Sequence, residues 1–176
     1  MNRCYTDNWY VLYVKSRHER KVESLLRENQ IETFLPFVKQ VRKWSDRKKT
    51  IEVPLFPSYI FIKLLNKREF ERVRSIDGVC DYIHFGREYA KVTDDEISKI
   101  RLFLSINELS DIETSSERPK VGKKYTITHG PLFGVECEVS MVNNKDRIVV
   151  RIDSIRQNIS ATIPANYLSE PAMAYG

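Results

Sequence analysis

The periodic pattern of the chain begins at Trp9-Tyr10-Val11-Leu12-Tyr13-Val14, an unbroken aromatic and β-branched run. Such a run predicts a strand buried on both faces. Ser16-Arg17-His18-Glu19 follows with the spacing of a capping box, Ser at the N-cap and Glu three residues on. Val22, Leu25 and Leu26 recur at helical spacing, so residues 17–29 are expected to form an amphipathic helix. Thr33-Phe34-Leu35-Pro36-Phe37-Val38 reads as a second strand, with Pro36 marking an edge or a bulge. The segment after it has no hydrophobic period and is expected to be a hairpin arm, brought back by Thr50–Val53. Tyr59-Ile60-Phe61-Ile62-Lys63-Leu64 is a strong strand.

Asn66-Lys67-Arg68-Glu69 then caps a second helix that turns Phe70 and Val73 inward, and Gly78 stops it. Val79–Phe85 reads as a strand. Thr93-Asp94-Asp95-Glu96 is a third capping box, opening a helix with Ile97, Ile100, Phe103 and Leu104 on one face. The sum is an α+β layer, a mostly antiparallel sheet flanked by helices. Residues 109–119 are polar, lack periodicity and end in Pro119, which predicts a linker. Beyond it the pattern is all β: Tyr125–Thr128, Val135–Val142, Arg147–Ile152 and Asn158–Ile163. Short strands this closely spaced predict a small barrel, the architecture that leaves no strand edge open. The expected organisation is therefore a domain over 1–108, a linker over 109–119 and a β-barrel domain over 120–176.

Charge sharpens this division. The 176 residues carry 29 Lys+Arg and 24 Asp+Glu, a net of +5. Residues 1–108 hold 21 bases and 16 acids, whereas residues 109–176 hold eight of each. All the excess positive charge thus belongs to the first part. It is densest over 39–49, where Lys39, Arg42, Lys43, Arg47, Lys48 and Lys49 surround Trp44 with Asp46 as the lone acid. Long cationic side chains suit phosphate oxygens and give affinity without sequence selectivity. Taken alone, the run reads equally well as a solvated hairpin, but an indole amid those charges favours a partner.

Other classes recede. No apolar run approaches the ~20 residues that span a bilayer. The N-terminal residues lack the apolar core of a secretory signal, so the chain is expected in the cytoplasm. Cys4, Cys80 and Cys137 are widely separated and form neither a metal knuckle nor a disulfide framework. His18, His84 and His129 sit in unrelated contexts, and no phosphate-binding or nucleophile motif is present. Asp94-Asp95-Glu96 is explained by the dipole of a helix start, although the fold could still assemble a carboxylate pair. The chain is read as a non-enzyme with no cofactor, no metal and no small-molecule substrate.

Several motifs converge on one resemblance. Trp9–Tyr13 opening a strand–helix unit, Pro54-Leu55-Phe56-Pro57-Ser58-Tyr59-Ile60-Phe61, and Gly78-Val79 resemble the N-terminal (NGN) domain of the NusG family. Val121–Val135, with Gly130-Pro131-Leu132-Phe133-Gly134, resembles a KOW motif, so the barrel is expected to be of the SH3-like KOW kind. The likeness runs over about residues 9–168 in motif order. It implies binding to transcribing RNA polymerase. Trp44–Lys49 with Pro54–Pro57 resembles the UpxY and RfaH type of antiterminator, the UpxY type serving capsular polysaccharide operons. Asp153–Ile159 lacks the Phe-Gly-Arg-x-Thr-Pro loop through which housekeeping members meet Rho and a ribosomal protein, which implies a factor that opposes termination.

Site residues follow from the same resemblance. A hydrophobic pocket for the polymerase clamp helices maps onto Tyr13, Phe56, Phe61, Phe85, Ile97 and Ile100. Lys15 matches a basic position facing DNA, and the arm residues Lys39, Arg42, Lys43, Arg47, Lys48 and Lys49 are expected against upstream or non-template DNA. The KOW part would take a ribosomal protein or another factor. Three positions depart from the RfaH pattern. Glu69-Phe70-Glu71 stands where a His-Thr-Thr segment touches the polymerase gate loop, Asp77 where an Arg reads DNA, and Val53 where an acid locks two domains together. The alternatives are a housekeeping NusG-like elongation factor, a ribosomal-type RNA-binding KOW module, which would call for a basic barrel, and a metal-dependent nuclease, for which no ligand set is seen.

Overall fold

Strand β1 (Asn8–Val14) is the hub of the first sheet. The computed structural model describes residues 8–43, 48–107, 109–116, 123–127, 131–142 and 145–163, and it divides into units 1–100 and 101–176. In the first unit, β1 is followed by helix α1 (Glu19–Glu28), β2 (Glu32–Phe34), the hairpin β3 (Phe37–Lys43) and β4 (Lys48–Pro54), and β5 (Tyr59–Leu64). Helix α2 (Lys67–Arg74), β6 (Val79–Tyr82), the small hairpin β7 (His84–Phe85) and β8 (Glu88–Tyr89), and β9 (Lys91–Val92) come next. Helix α3 (Asp94–Ser105) crosses the division between the units. The sheet order is β2-β5-β1-β6, with β9 also on β1 and every pairing antiparallel.

The two-residue period of β1 and β5 sorts side chains onto two faces. Tyr10, Leu12 and Val14 join Ile60, Ile62 and Leu64 on one face, where Val22 and Leu26 of α1, Phe70 and Val73 of α2, and Tyr82 complete a core cluster. The rings of Phe70 and Tyr82 stack at 4.0 Å, and the Tyr82 hydroxyl donates to the Phe70 carbonyl at 2.9 Å. Trp9, Val11, Tyr13, Tyr59, Phe61 and Lys63 face the other way.

Two capping boxes form as expected. Asn66 accepts from the Glu69 N–H while the Glu69 carboxylate takes the Leu65 N–H, and Thr93 and Glu96 exchange bonds at the start of α3. The first does not. Helix α1 starts at Glu19 with His18 at the N-cap and no side-chain cap. Buried Glu19 instead accepts the Ser58 N–H at 3.0 Å, across from the Pro54–Tyr59 turn. Ser58 there has φ +64° and lies outside any strand or helix ladder, and the Glu19 carboxylate satisfies its N–H. The expected strand over 33–38 is split at Leu35-Pro36, where the Pro36 carbonyl takes the Leu55 N–H, and the one over 79–85 divides into β6 and β7.

Helix α2 ends at Arg74 with Ser75 as its C-cap, short of the expected stop at Gly78. Gly78 sits in the turn before β6 at φ +93°, and a Cβ placed there would lie 2.7 Å from Val22 Cγ2. Gly78→Ala is expected to cost about 2–3 kcal/mol, from left-handed strain plus overpacking against α1. A denaturant titration monitored by helix content checks it. A loss below 1 kcal/mol would show that α1 gives way freely.

The second unit carries β10 (Ser110–Ser115), β11 (Lys123–Thr126), β12 (Glu136–Val142), β13 (Lys145–Ile152), a 3-10 turn (Asp153–Ile155) and β14 (Gln157–Thr162). They form one antiparallel sheet in the order β10-β14-β13-β12-β11. Ile148, Val150, Ile152, Ile159 and Ala161 are buried with Ile127, Leu132 and Cys137. Burial pushes the Cys137 thiol up to about 11, while Cys80 is exposed. One expectation is corrected here and one is left open by the described residues. The segment assigned to the linker holds β10, a strand with almost no apolar side chains that backbone pairing supports. Among the described residues no pairing of β10 with β11 closes the sheet into a barrel. Thr128–Gly130 of the KOW-like segment lie outside the described residues.

Candidate interaction surfaces

The second face of the first sheet is covered at one end only. At the Trp9 end, the indole Nε1 donates to Asp94 Oδ1 at 2.8 Å, and Lys63 Nζ reaches the same carboxylate at 3.4 Å. These bonds tie the start of α3 to this end of the sheet. Trp9, Val11 and Phe61 on this face and Ile97 and Ile100 of α3 are all buried. At the other end Tyr13 is 48% exposed. Its ring meets Tyr59 edge-on at 6.3 Å, and the two are register partners between β1 and β5. Behind them Phe61 packs against Phe56 at 5.6 Å and Phe34 at 5.9 Å. Burial, and then the neighbouring Tyr13, raise the Tyr59 hydroxyl above its usual range.

The six expected pocket residues therefore separate. Phe56, Phe61, Ile97 and Ile100 are core residues, closed from solvent, because they stand where strands and helix bury their apolar faces. They support a surface rather than line an open pocket. Tyr13 is exposed, and half-buried Phe85 lies apart on the β7–β8 hairpin. Tyr59 and Phe34, both half-buried, were missed by sequence reasoning. The two-residue period of β5, counted from Phe61, would have found Tyr59.

The basic residues form two groups. Exposed Lys15 sits where β1 leaves the sheet, its N–H bonded to the Gly78 carbonyl at 2.9 Å. Asp77 nearby is bonded by Lys21 at 2.6 Å, and that bond together with the charges of Lys21 and Lys15 holds its carboxyl below the usual range. The second group is the arm. Its register sets Lys39 opposite Glu52, Arg42 opposite Lys49 and Lys43 opposite Lys48. Glu52 is also paired with Arg20 at 3.1 Å, and the Arg20 guanidinium lies 4.0 Å from the centre of the Phe37 ring. The root of the arm is thus charge-balanced and braced against α1. Further out, bases oppose bases at two consecutive positions, an arrangement that weakens an isolated ladder and suits a polyanion. Arg47 and Trp44 lie outside the described residues.

Among the described residues no helix is long and apolar enough to cross a membrane, and no cluster of His, Cys, Asp and Glu could hold a metal ion.

Comparison with known proteins bears on this arrangement. The structure is similar to that of Thermotoga maritima NusG, solved in a study of its domain interaction, with a TM-score of 0.54 and 21% sequence identity over 93% of this chain and 97% of that one. At that identity the likeness speaks for the fold. No curated protein matches the chain. A family model described as transcription termination factor nusG matches residues 7–101, which span the whole first sheet, the arm and most of α3. More than half of the chain is covered, and the chain belongs to the NusG family.

Proposed function

We propose that this protein is a transcription elongation factor of the antiterminating kind, which docks on RNA polymerase through the Tyr13 end of its first sheet. The observation that carries the reading is the half-exposed Tyr13–Tyr59 pair above a buried floor of Phe56 and Phe61. A rigid, partly exposed aromatic pair on a packed base is the usual anatomy of a docking hot spot. The clamp helices, an apolar-faced helical target, are its proposed partner. Glu69-Phe70-Glu71 does not serve as a gate-loop contact in this reading, since Glu69 caps α2 and Phe70 lies in the core.

The arm is proposed to lie against upstream or non-template DNA, with Lys15 at the base of the same basic side. It tunes the contact and the aromatic pair anchors it. Bound across the polymerase channel, the domain would favour the elongating state over the paused one by binding it more tightly. The second unit is proposed to act as a KOW module that brings a further factor, such as a ribosomal protein, to the same complex. The resemblance of Trp44–Lys49 with Pro54–Pro57, and the absence of a Phe-Gly-Arg-x-Thr-Pro loop at Asp153–Ile159, favour a specialised paralogue of the UpxY/RfaH type, acting on an operon for capsular or other surface polysaccharide.

Co-purification with RNA polymerase, followed by a pausing assay on the protein's own upstream operon and on an unrelated template, tests the reading. Retention on polymerase and read-through confined to its own operon are expected. Equal effects on both templates would make it a housekeeping elongation factor, and binding to ribosomal RNA without polymerase would overturn the proposal. The arm has its own test. Changing Lys48 and Lys49 to Glu is expected to leave thermal stability unchanged or slightly raised, since each then opposes a base, and to lower the salt dependence of the complex's nucleic-acid affinity by about two phosphate contacts. An unaltered salt slope would return the arm to a solvated hairpin.

A further inference from the structure

Strand β10 is held to its sheet differently from the others. Along Ser110–Ser115 the side chains alternate between exposed and half-buried, with none buried. Its ladder with β14 is irregular: the register shifts between Ser110 and Glu113, and Asp111 takes φ +51°. In place of apolar packing, polar groups of the neighbouring strands reach over to it. Arg147 of β13, only 16% exposed, uses Nη2 toward the Asp111 carbonyl at 3.1 Å, the Glu113 carboxylate at 3.1 Å and the Ser160 hydroxyl at 2.7 Å. Buried Asn158 of β14 donates to the Ser115 carbonyl at 3.2 Å and accepts from Arg151. The Thr162 hydroxyl approaches Asp111 Oδ2 at 3.3 Å.

These features make the strand separable from what holds it. The strand contributes backbone, the half-buried Ile112, and polar contacts through Asp111 and Glu113, the Glu113 side chain itself being 63% exposed. The holding groups belong to β13 and β14, which pair with each other along six positions and bury Ile148, Val150, Ile159 and Ala161. An exposed ionic contact and edge backbone bonds open at low cost compared with a buried core. After opening, the Arg147 guanidinium and the Asn158 amide lose acceptors in a partly desolvated setting, which is unfavourable unless another chain supplies them. The edge of β14 also becomes a free row of backbone donors and acceptors, ready for strand addition.

We propose that β10 is a displaceable strap over a strand-accepting edge, latched by Arg147, and that the edge takes an extended peptide segment of a partner protein in its place. The segment recognised has the chemistry of β10: an extended strand with a carboxylate at the position of Glu113, a backbone carbonyl for Asn158 and one aliphatic side chain at the position of Ile112. The inference rests on the second unit alone and stands whether or not the first binds polymerase.

Hydrogen exchange on the full chain, with Arg147→Glu and Glu113→Arg singly and together, tests the latch. Each single change places like charges together and should speed exchange across 112–115 by about tenfold or more, with β13 and β14 unaffected. The double change should restore protection, which a merely weakened strand would not do. A synthetic peptide of residues 109–116 should then bind the Glu113→Lys full chain saturably and protect the β14 amides, and its own Glu→Lys version should not. If the 112–115 amides exchange only with β13 and β14 in every variant, β10 is a permanent strand and the proposal is wrong. If the latch opens but the peptide fails to bind, the strand-accepting part is wrong.

Discussion

Phe61→Ala is expected to destabilise the first unit by about 3–5 kcal/mol, enough to threaten folding of an ordinary domain. Phe61 is fully closed from solvent in the middle of β5, flanked in the sheet by β1 and β2. Its ring is shared by Phe34 and Phe56, and Val11 is its register partner. Truncation leaves a cavity that pleated backbone on both sides cannot collapse into, so the loss should fall at the upper end for such changes. Denaturant unfolding followed by Trp9 fluorescence measures it, since that indole is buried on the same face. A loss under 1.5 kcal/mol would mean that the second face repacks and is not a rigid floor. Phe61→Leu should recover most of the stability. The same argument bars Phe61→Ala, Phe56→Ala or Ile100→Ala from use as binding tests, because any loss of partner binding would follow from loss of fold.

Tyr13→Ala is the informative change for function. Half of the side chain is already in water, and the edge-on contact with Tyr59 is worth only about 0.5–1.5 kcal/mol. The fold should therefore survive with a melting temperature lowered by a few degrees. Affinity for purified RNA polymerase should fall by about 30-fold or more, as expected when an aromatic anchor of at least 2 kcal/mol is removed. Read-through in the pausing assay should fall with it and recover at raised protein concentration. Tyr13→Phe, which keeps the ring, should retain most of the affinity. Full affinity in Tyr13→Ala would move the docking surface elsewhere on the domain.

The two variants differ by a distinction that the sequence does not carry. Tyr13 and Phe61 are both aromatic residues in strands expected to be buried, and motif resemblance placed them in the same pocket. Only the tertiary arrangement shows that Phe61 is closed from solvent while Tyr13 is half-exposed. Elements carried by hydrophobic period were legible: β1, β5, α3 and the strands β11 to β14 of the second unit lie within a residue or two of expectation. Those carried by backbone and polar groups were not. Glu19 has the spacing of a capping partner, yet it serves the Ser58 amide far along the chain. Ser110–Ser115 has the composition of a linker, yet it is a strand because Arg147 and Asn158 meet it.

The sequence by itself determined the family, the confinement of net positive charge to residues 1–108 and the positions of the main helices and strands. Each follows from local pattern: side-chain period, capping chemistry and charge are properties of neighbouring residues. The tertiary structure decided which aromatics face solvent, that the root of the arm is neutralised by Glu52 and Arg20 while base opposes base further out, and that a polar segment closes one edge of the second sheet. Each of these depends on residues brought together from distant parts of the chain. Burial is a property of what covers a side chain, and a polar strand is held by its partners rather than by any pattern of its own.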